Sequence, residues 1–561
     1  MGRDERGNQF IIQGSILAAA SLIVRIIGLI YRIPMTRIIG DEGMGAYSVA
    51  YELYGIALIL STYSLPLAVS KLVAAKGIVK EHRNSYRIFI CAMGFAFVVG
   101  LAFSLILYFG AEFFATVVNN TPNATLPIKV LAPTLFVFAI MGVFRGLYQG
   151  KNTMIPTAVS QIIEQIVNAI VSVLAAYILM KSNSASANIA SYGAAGATLG
   201  TLVGAIFGLL FLLFVYIIYR PTLKRQLRRD QSSYVDSYSD ILKILIVTIS
   251  PIVISQTVYH ISGVFDNAMF GNIMTTKEVA QFEGAIFSNY VPGNTYTSDN
   301  IEFLLGKYNN KYRTLTNVPV SIASAIGAAI ITSITQSKVK GMDDVIRNKT
   351  HVAIKFNMII AIPSAVGMAV LAYPILEMLF PGSHQLDANL LKLGSIAIVF
   401  FSLSTVTTSI LQGINKLRIP VINSAISLGI HVVLVCVLLK YTPLSTYALV
   451  IGNVTFSLVV CILNWISIEK YLNYKQEIVK TFVIPTVSAG LMGVVTYLLH
   501  FGLHKWTGSN TFATMVSLVG AVVIYFALLI FMKGVSEEEL ENLPKGELII
   551  RFLRWAHILK R

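Results

Sequence analysis

The sequence predicts an all-α polytopic membrane protein of about fourteen transmembrane helices, two six-helix lobes in a parallel pseudo-twofold repeat plus two C-terminal helices. Three observations carry this. The 561 residues are 55% apolar and only 12% charged, about half the ~25% charge of soluble domains. Apolar runs of about 20 residues, the length that crosses a hydrocarbon core, recur from end to end. Short motifs of the first half return in the second at nearly constant spacing.

Taken in order, the runs lie near 12–35, 44–68, 86–110, 127–148, 154–180, 190–219, 241–266, 313–336, 352–379, 388–411, 418–439, 443–467, 480–501 and 510–532. The charged start MGRDERGNQF precedes a run too long for a signal-peptide core, so the first span reads as uncleaved. Loop charge tests the count. Lys71, Lys76, Lys80, Arg83 and Arg87 follow the second span, Arg220, Lys224, Arg225, Arg228 and Arg229 the sixth, and Lys338, Lys340, Arg347 and Lys349 the eighth. The intervening loops NNTPNAT, SNSASAN and PGSHQLDAN are poor in base. That alternation follows the positive-inside rule. It predicts a multi-pass cell-membrane protein with both termini cytoplasmic.

The net charge of +16 is spread along short loops and does not indicate nucleic-acid binding. Cys91, Cys436 and Cys461 sit in apolar runs with neither disulfide nor metal spacing. There is no phosphate-binding G-x-x-x-x-G-K-[ST] loop and no H-E-x-x-H, so no cofactor or metal is expected.

The halves repeat. Gly45, Tyr47 and Tyr51 recur as Gly306, Tyr308 and Tyr312, 261 positions later. Gln149, Gly150 and Asn152 recur as Gln412, Gly413 and Asn415, 263 positions later. The expected organisation is a first lobe at 1–219, a basic linker at 220–240, a second lobe at 241–467, a final pair at 468–532 and a tail at 533–561. The second lobe carries a long outer connection, 267–311, whose TTKEVAQFEGAIF reads as a short helix or as part of a disordered insert. In the tail, SEEEL at Ser536–Leu540 opens a capped acidic helix. After it, Arg551, Arg554 and Arg561 oppose Leu548, Ile549, Phe552, Trp555 and Leu559, an interfacial helix for anionic lipid.

Charge within the spans marks the candidate site. Arg25, Arg32 and Arg37 fall in SLIVRIIGLIYRIPMTRIIG. An arginine at the centre of a lipid-facing helix costs about 2.5–3.5 kcal/mol. Arg25 and Arg32 stand two turns apart on one face, and Pro34 is expected to break or kink the helix before Arg37. Either Arg25 and Arg37 snorkel to opposite interfaces, or the stripe faces a water-filled cavity that accepts an anion. In the fifth span Gln161, Glu164, Gln165 and Asn168 share one face at i, i+3, i+4 and i+7. A buried carboxylate needs a cation or a proton, and Arg25 and Arg145 are the candidate partners of Glu164. Glu52 adds a carboxylate to the second span. The second half offers Gln256, His260 and Asp266, of which His260 and Asp266 are candidates for a coupling cation. Asp41 and Glu42 are the paired carboxylates of the first outer loop.

The stretches VRIIGLIYRIPMTRIIG, YSLPLAVSKLVA, FRGLYQG and SQIIEQ, with the six-plus-six-plus-two layout, resemble the multidrug/oligosaccharidyl-lipid/polysaccharide exporter superfamily. Within it the chain looks most like the stage V sporulation protein B branch of Gram-positive bacteria, close to the MurJ-type lipid II flippases. The resemblance implies a V-shaped transporter, not an enzyme, that flips an undecaprenyl-pyrophosphate-linked sugar from the inner to the outer leaflet of a bacterial cell membrane. It implies first-span arginines lining the cavity, which Arg25 matches well and Arg32 less closely, and a lipid-tail groove in the last two spans. Members carry a carboxylate early in the second span; here only Glu52 is available. The membrane potential or a monovalent cation would drive the cycle. Two alternatives stand: a cation-coupled small-molecule or drug exporter of the same fold, and a membrane glycan polymerase or transferase using Asp41 or Glu42.

Overall fold

The computed structural model describes residues 3–230, 234–287 and 290–535. Both predicted tail helices, from Ser536 onward, lie outside the described residues. Helix dominates, and the extended pairing among the described residues is an isolated antiparallel bridge between Glu278 and Thr295. The described residues form two compact units. One comprises the chain up to Val279 together with Val291–Asn310, the other Ala280–Tyr290 and the chain from Lys311 onward.

The first unit contains α1 (Arg3–Ser61), α2 (Leu65–Ile78), α3 (His82–Phe109), α4 (Thr125–Gly150), α5 (Ile155–Ser182), α6 (Ile189–Arg228), α7 (Tyr238–His260) and α8 (Ser262–Met274). The short α9 (Gln281–Gly284) belongs to the second unit and α10 (Ser298–Gly306) to the first. At about 1.5 Å per residue, a straight α1 would far exceed one bilayer crossing. It is in fact two helices joined at Gly40, whose φ of 68° and ψ of 177° leave the helical region. Only glycine reaches that backbone cheaply. The break therefore falls at Gly40, and Pro34, where a break or kink was expected, is carried inside the helix. Membrane helices tolerate such prolines.

Small residues set the packing of α5 on α6. Gly196, Gly200 and Gly204 of α6 lie directly on the backbone of α5 at Ala176, Ser172 and Glu164. Without a hydrophobic drive between helices in lipid, close approach over small residues supplies the dispersion contacts that hold them.

The matched motifs have a common cause. Asn152 and Asn415 follow the ends of α4 and α15 (Ala397–Gly413) with φ of 59° and 63°. Asparagine is the usual non-glycine residue in that left-handed position. The preceding Gly150 and Gly413 sit where a Cβ would come within 2.8 Å of Val73 and 3.0 Å of Ile334 respectively. The other repeat is a physical contact. A Cβ on Gly306 would lie 3.0 Å from the Gly45 nitrogen, and Asn309 Nδ2 donates to Ser48 Oγ at 3.3 Å. Residues matched by the repeat thus touch each other.

The segment before α7 is clasped to the α2–α3 turn. Asp230 Oδ2 accepts from the Arg83 amide at 2.5 Å, and Asn84 donates to the Tyr234 carbonyl and accepts from the Asp236 amide. Lys76 pairs with both Asp236 and Glu81, at 2.7 and 2.8 Å.

The second unit continues with α11 (Thr314–Val339), α12 (Asp343–Val370), α13 (Ala372–Leu379), α14 (Gln385–Gly394), α15, α16 (Arg418–Tyr441), α17 (Thr446–Leu472), α18 (Ile484–Thr507) and α19 (Asn510–Phe531). Ile334, Ile354, Met358, Val406 and Ile410 anchor its core. Its α18 and α19 pack against each other.

Among the described residues eleven helices are long and apolar enough to cross a membrane, or up to twelve when the bent pair α14–α15 counts as one span. The predicted class holds, while the number fourteen is not confirmed. One reason is that Ala19–Gly77 counts once although Gly40 divides it. The stretch read as an outer connection, 267–311, is built into helices at both ends. Its first residues complete α8, and α10 runs through a π-helical turn, Lys307–Arg313, into α11.

Candidate functional site

The polar face of α5 is divided among three neighbours. Glu164 turns to α4, where its Oε2 accepts from Arg145 Nη2 at 2.8 Å. Arg145 Nε donates to Ser160 Oγ at 3.1 Å, so one guanidinium is gripped by two residues a turn apart on α5. The pair is largely buried, with side-chain exposures of 10% and 20%. Asn168 turns to α6, its Oδ1 accepting from Ser172 Oγ at 2.9 Å and from Thr201 Oγ1 at 3.4 Å. Gln165 faces α1, 3.4 Å from where a Cβ on Gly28 would stand. Gln161 Oε1 is buried and has no hydrogen-bond partner among the described residues.

Arg32 of α1 lies beside a cluster of tyrosines, Tyr31, Tyr47 and Tyr51. The Tyr47 and Tyr51 rings are 4.5 Å apart, and the Tyr51 hydroxyl bonds Thr201, which ties this cluster to Asn168. Tyr54 continues the row; its ring lies 5.8 Å from Tyr51, and its buried hydroxyl has no hydrogen-bond partner. Arg25 and Arg37 are exposed. The geometry thus joins Arg145, Ser160 and Glu164 in one centre and Arg32 with its tyrosines in another.

Glu52 lies against Gly263 of α8. Asp266 is buried, at 3.5 Å from the Tyr308 hydroxyl that donates to it, whereas His260 is exposed. Sequence reading missed the polar layer that α10 builds against α1. Lys307, fully buried, pairs with Asp41 at 3.0 Å. Glu302, also fully buried, accepts from the Asn123 amide at 3.0 Å and its Nδ2 at 2.8 Å, and Glu42 approaches the same Nδ2 at 3.5 Å. Asn310 Nδ2 donates to Thr36 Oγ1 at 2.9 Å. Of the paired carboxylates, Asp41 therefore ties α10 to α1, while Glu42 shares Asn123 Nδ2 with Glu302. The only sequence signal was the Gly45/Gly306 repeat, which pairs the right segments.

The second unit carries the same positions without the charge. Adding the 263-residue offset to Arg145, Ser160, Glu164 and Thr201 gives Thr408, Asn423, Ser427 and Asn464. Asn423 Nδ2 donates to Asn464 Oδ1 at 2.9 Å, and Asn464 Nδ2 donates to Thr408 Oγ1 at 3.0 Å. Ser427 Oγ donates to the Phe456 carbonyl at 2.7 Å. A neutral network closes on itself where the first unit places an ion pair.

Comparison with known proteins follows this geometry. The family described as "Polysaccharide biosynthesis protein" matches residues 13–331, and that described as "Lipid II flippase MurJ" matches residues 311–518. The chain is 27% identical over 527 residues to the Lipid II flippase MurJ of Bacillus subtilis (strain 168), covering 90% of this chain and 92% of that protein. It is 23% identical over 548 residues to Stage V sporulation protein B of the same organism, covering 96% and 98%. Its fold matches a solved inward-facing multidrug resistance MATE family transporter of the MOP superfamily, with a TM-score of 0.62 at 16% identity, covering 80% of this chain and 98% of that one. The first match spans more than half of the sequence, and the chain belongs to the polysaccharide biosynthesis protein family.

Proposed function

We propose that this multi-pass membrane protein is a flippase for a lipid-linked precursor, namely an undecaprenyl-pyrophosphate-linked saccharide, with lipid II the leading candidate. The protein is a transporter and performs no catalysis. The observation that carries the reading is the buried Arg145–Glu164 centre of the first unit, set at positions that are neutral in the second. Membership of a polysaccharide biosynthesis family, together with a buried guanidinium in the first unit at a position that is neutral in the second, fits a cargo whose headgroup is an anion. Guanidinium forks grip pyrophosphate oxygens with fixed geometry.

In this reading Arg25, Arg32 and Arg37 of α1 receive the pyrophosphate, with Arg145, Gln161, Glu164, Gln165, Asn168 and Glu52 around it. The two six-span lobes alternate access, both termini face the cytoplasm, and the final pair of helices cradles the lipid tail. A membrane potential negative inside favours outward movement of the headgroup by about 2.3 kcal/mol per charge per 100 mV.

Complementation of a bacterial strain depleted of its lipid II flippase tests the reading. Growth is expected with the wild-type chain and with Arg25→Lys at reduced rate, and no growth with Arg25→Ala at equal membrane abundance. Outer-leaflet appearance of the lipid-linked sugar is then measured for each. Full flipping by Arg25→Ala would refute the cationic site, and failure of the wild-type chain would refute lipid II as cargo.

A further inference from the structure

Near the Arg145–Glu164 pair, two buried polar atoms have no hydrogen-bond partner among the described residues. Gln161 Oε1 lies on the same face of α5, one turn before Glu164, and the Tyr54 hydroxyl of α1 feels the Glu164 charge. An unsatisfied buried polar group costs about 1–3 kcal/mol. Native interiors leave few such groups unsatisfied, and each calls for an explanation.

An anion arriving at Arg145 meets a guanidinium already taken by Glu164. Two anions at one cation repel, and in a membrane interior the repulsion is weakly screened. The conflict is removed when the carboxylate takes a proton. Protonated Glu164 becomes a hydrogen-bond donor, and the acceptor it then needs is Gln161 Oε1, one turn away. The Tyr54 hydroxyl is left as a donor for an oxygen of the incoming anion. Glu164 is paired with Arg145 of α4 and interacts electrostatically with Tyr54 of α1, and Gly204 and Gly208 of α6 lie against it.

We infer that Glu164 is a proton-exchange residue that releases Arg145 to a phosphate-bearing substrate. The step balances. The Arg145–Glu164 pair, one anionic phosphate group and one proton give Arg145 paired with the phosphate and a neutral Glu164 hydrogen-bonded to Gln161. Release on the other side returns the proton, so one proton accompanies each headgroup. This inference rests on the flippase reading, and it adds a chemical step to it.

Calorimetric titration of the full-length protein in detergent tests it. Undecaprenyl pyrophosphate is the probe, with inorganic pyrophosphate in a parallel arm to separate a lipid ligand from a free one. Each titration is run in two buffers of different ionisation enthalpy at several pH values. The wild-type protein is expected to take up about one proton per pyrophosphate bound, with affinity falling about tenfold per pH unit. Glu164→Gln, a fixed mimic of the protonated form, should bind without proton uptake and with affinity independent of pH. Wild-type binding without proton uptake overturns this inference and leaves the flippase reading standing. Absence of binding by both probes overturns the flippase reading and this inference with it. The wild-type measurement decides the matter even when the variant does not fold.

Discussion

Replacing Gly306 by alanine tests the contact between matched positions. The added Cβ would overlap the Asp41 carbonyl, with the Asp41 carbonyl carbon at 2.9 Å and the Gly45 nitrogen at 3.0 Å. Ordinary contact begins near 3.4 Å, and the obstacles are backbone, which cannot rotate away. Helix α10 must therefore withdraw from α1. The bonds at risk are short-ranged: Lys307–Asp41 at 3.0 Å and Asn309–Ser48 at 3.3 Å. Overpacking alone costs about 1–3 kcal/mol. Breaking a buried ion pair adds about 3–5 kcal/mol when both charges stay buried. The expected loss is several kcal/mol, read as thermal unfolding of the protein in detergent. Gly429→Ala is the control, since nothing lies within 4 Å of its added Cβ. Alanine in a helix interior is worth about 0.5–1 kcal/mol over glycine, so this variant should gain slightly. Gly306→Ala unfolding with or above the wild type would refute the reasoning.

Three further outcomes are expected. Asp41→Ala should destabilise by about 1–4 kcal/mol because it removes the carboxylate that pairs with the buried Lys307 ammonium; the double variant Asp41→Leu with Lys307→Met should recover most of that in the same unfolding assay. Asn152→Gly should be nearly neutral and Asn152→Val should cost about 1–2 kcal/mol, since the position is left-handed. The hydrogen bond from Lys76 holds the Glu81 carboxyl below its ordinary 4.5. Its contribution to the clasp is present above that value and is lost as pH falls through the lowered one. Hydrogen exchange at the Asp236 amide, corrected for its intrinsic rate, should therefore accelerate only below pH 4.5, and unchanged protection there would remove Glu81 from the clasp.

Much of the architecture was legible because lipid imposes a simple rule on sequence. Spans show as long apolar runs, and the Gln-Gly-x-Asn pair marked two helix ends that the structure finishes in the same way. The charged face of α5 was equally plain from spacing, since Gln161, Glu164, Gln165 and Asn168 have no other reason to recur on one side. What sequence could not supply was direction across space. It offered Glu164 two arginines, and only the packing of α4 on α5 selects Arg145. The layer around α10 was misread for a related reason. Lys307, Asn309, Asn310 and Glu302 look like a solvated loop by composition, yet each meets a partner from a helix far away in sequence. A polar residue reads as surface until its partner is known.

The meeting of Gly45 with Gly306 has a consequence for how such a chain can change. Each residue there confronts its own counterpart in the repeat. In an ancestor assembled from two identical half-length chains, one mutation would have entered the contact twice, so any side chain larger than a hydrogen would have met backbone at both places. Joining the halves into one gene lifts that constraint, because each copy is then free to vary alone. Ser48 and Asn309 differ, and they form a donor–acceptor pair. The two glycines do not differ, because the backbones leave no room for either to move first. A side chain at 45 meets the Glu302 backbone and one at 306 the Asp41 backbone, so glycine is expected to be required at both.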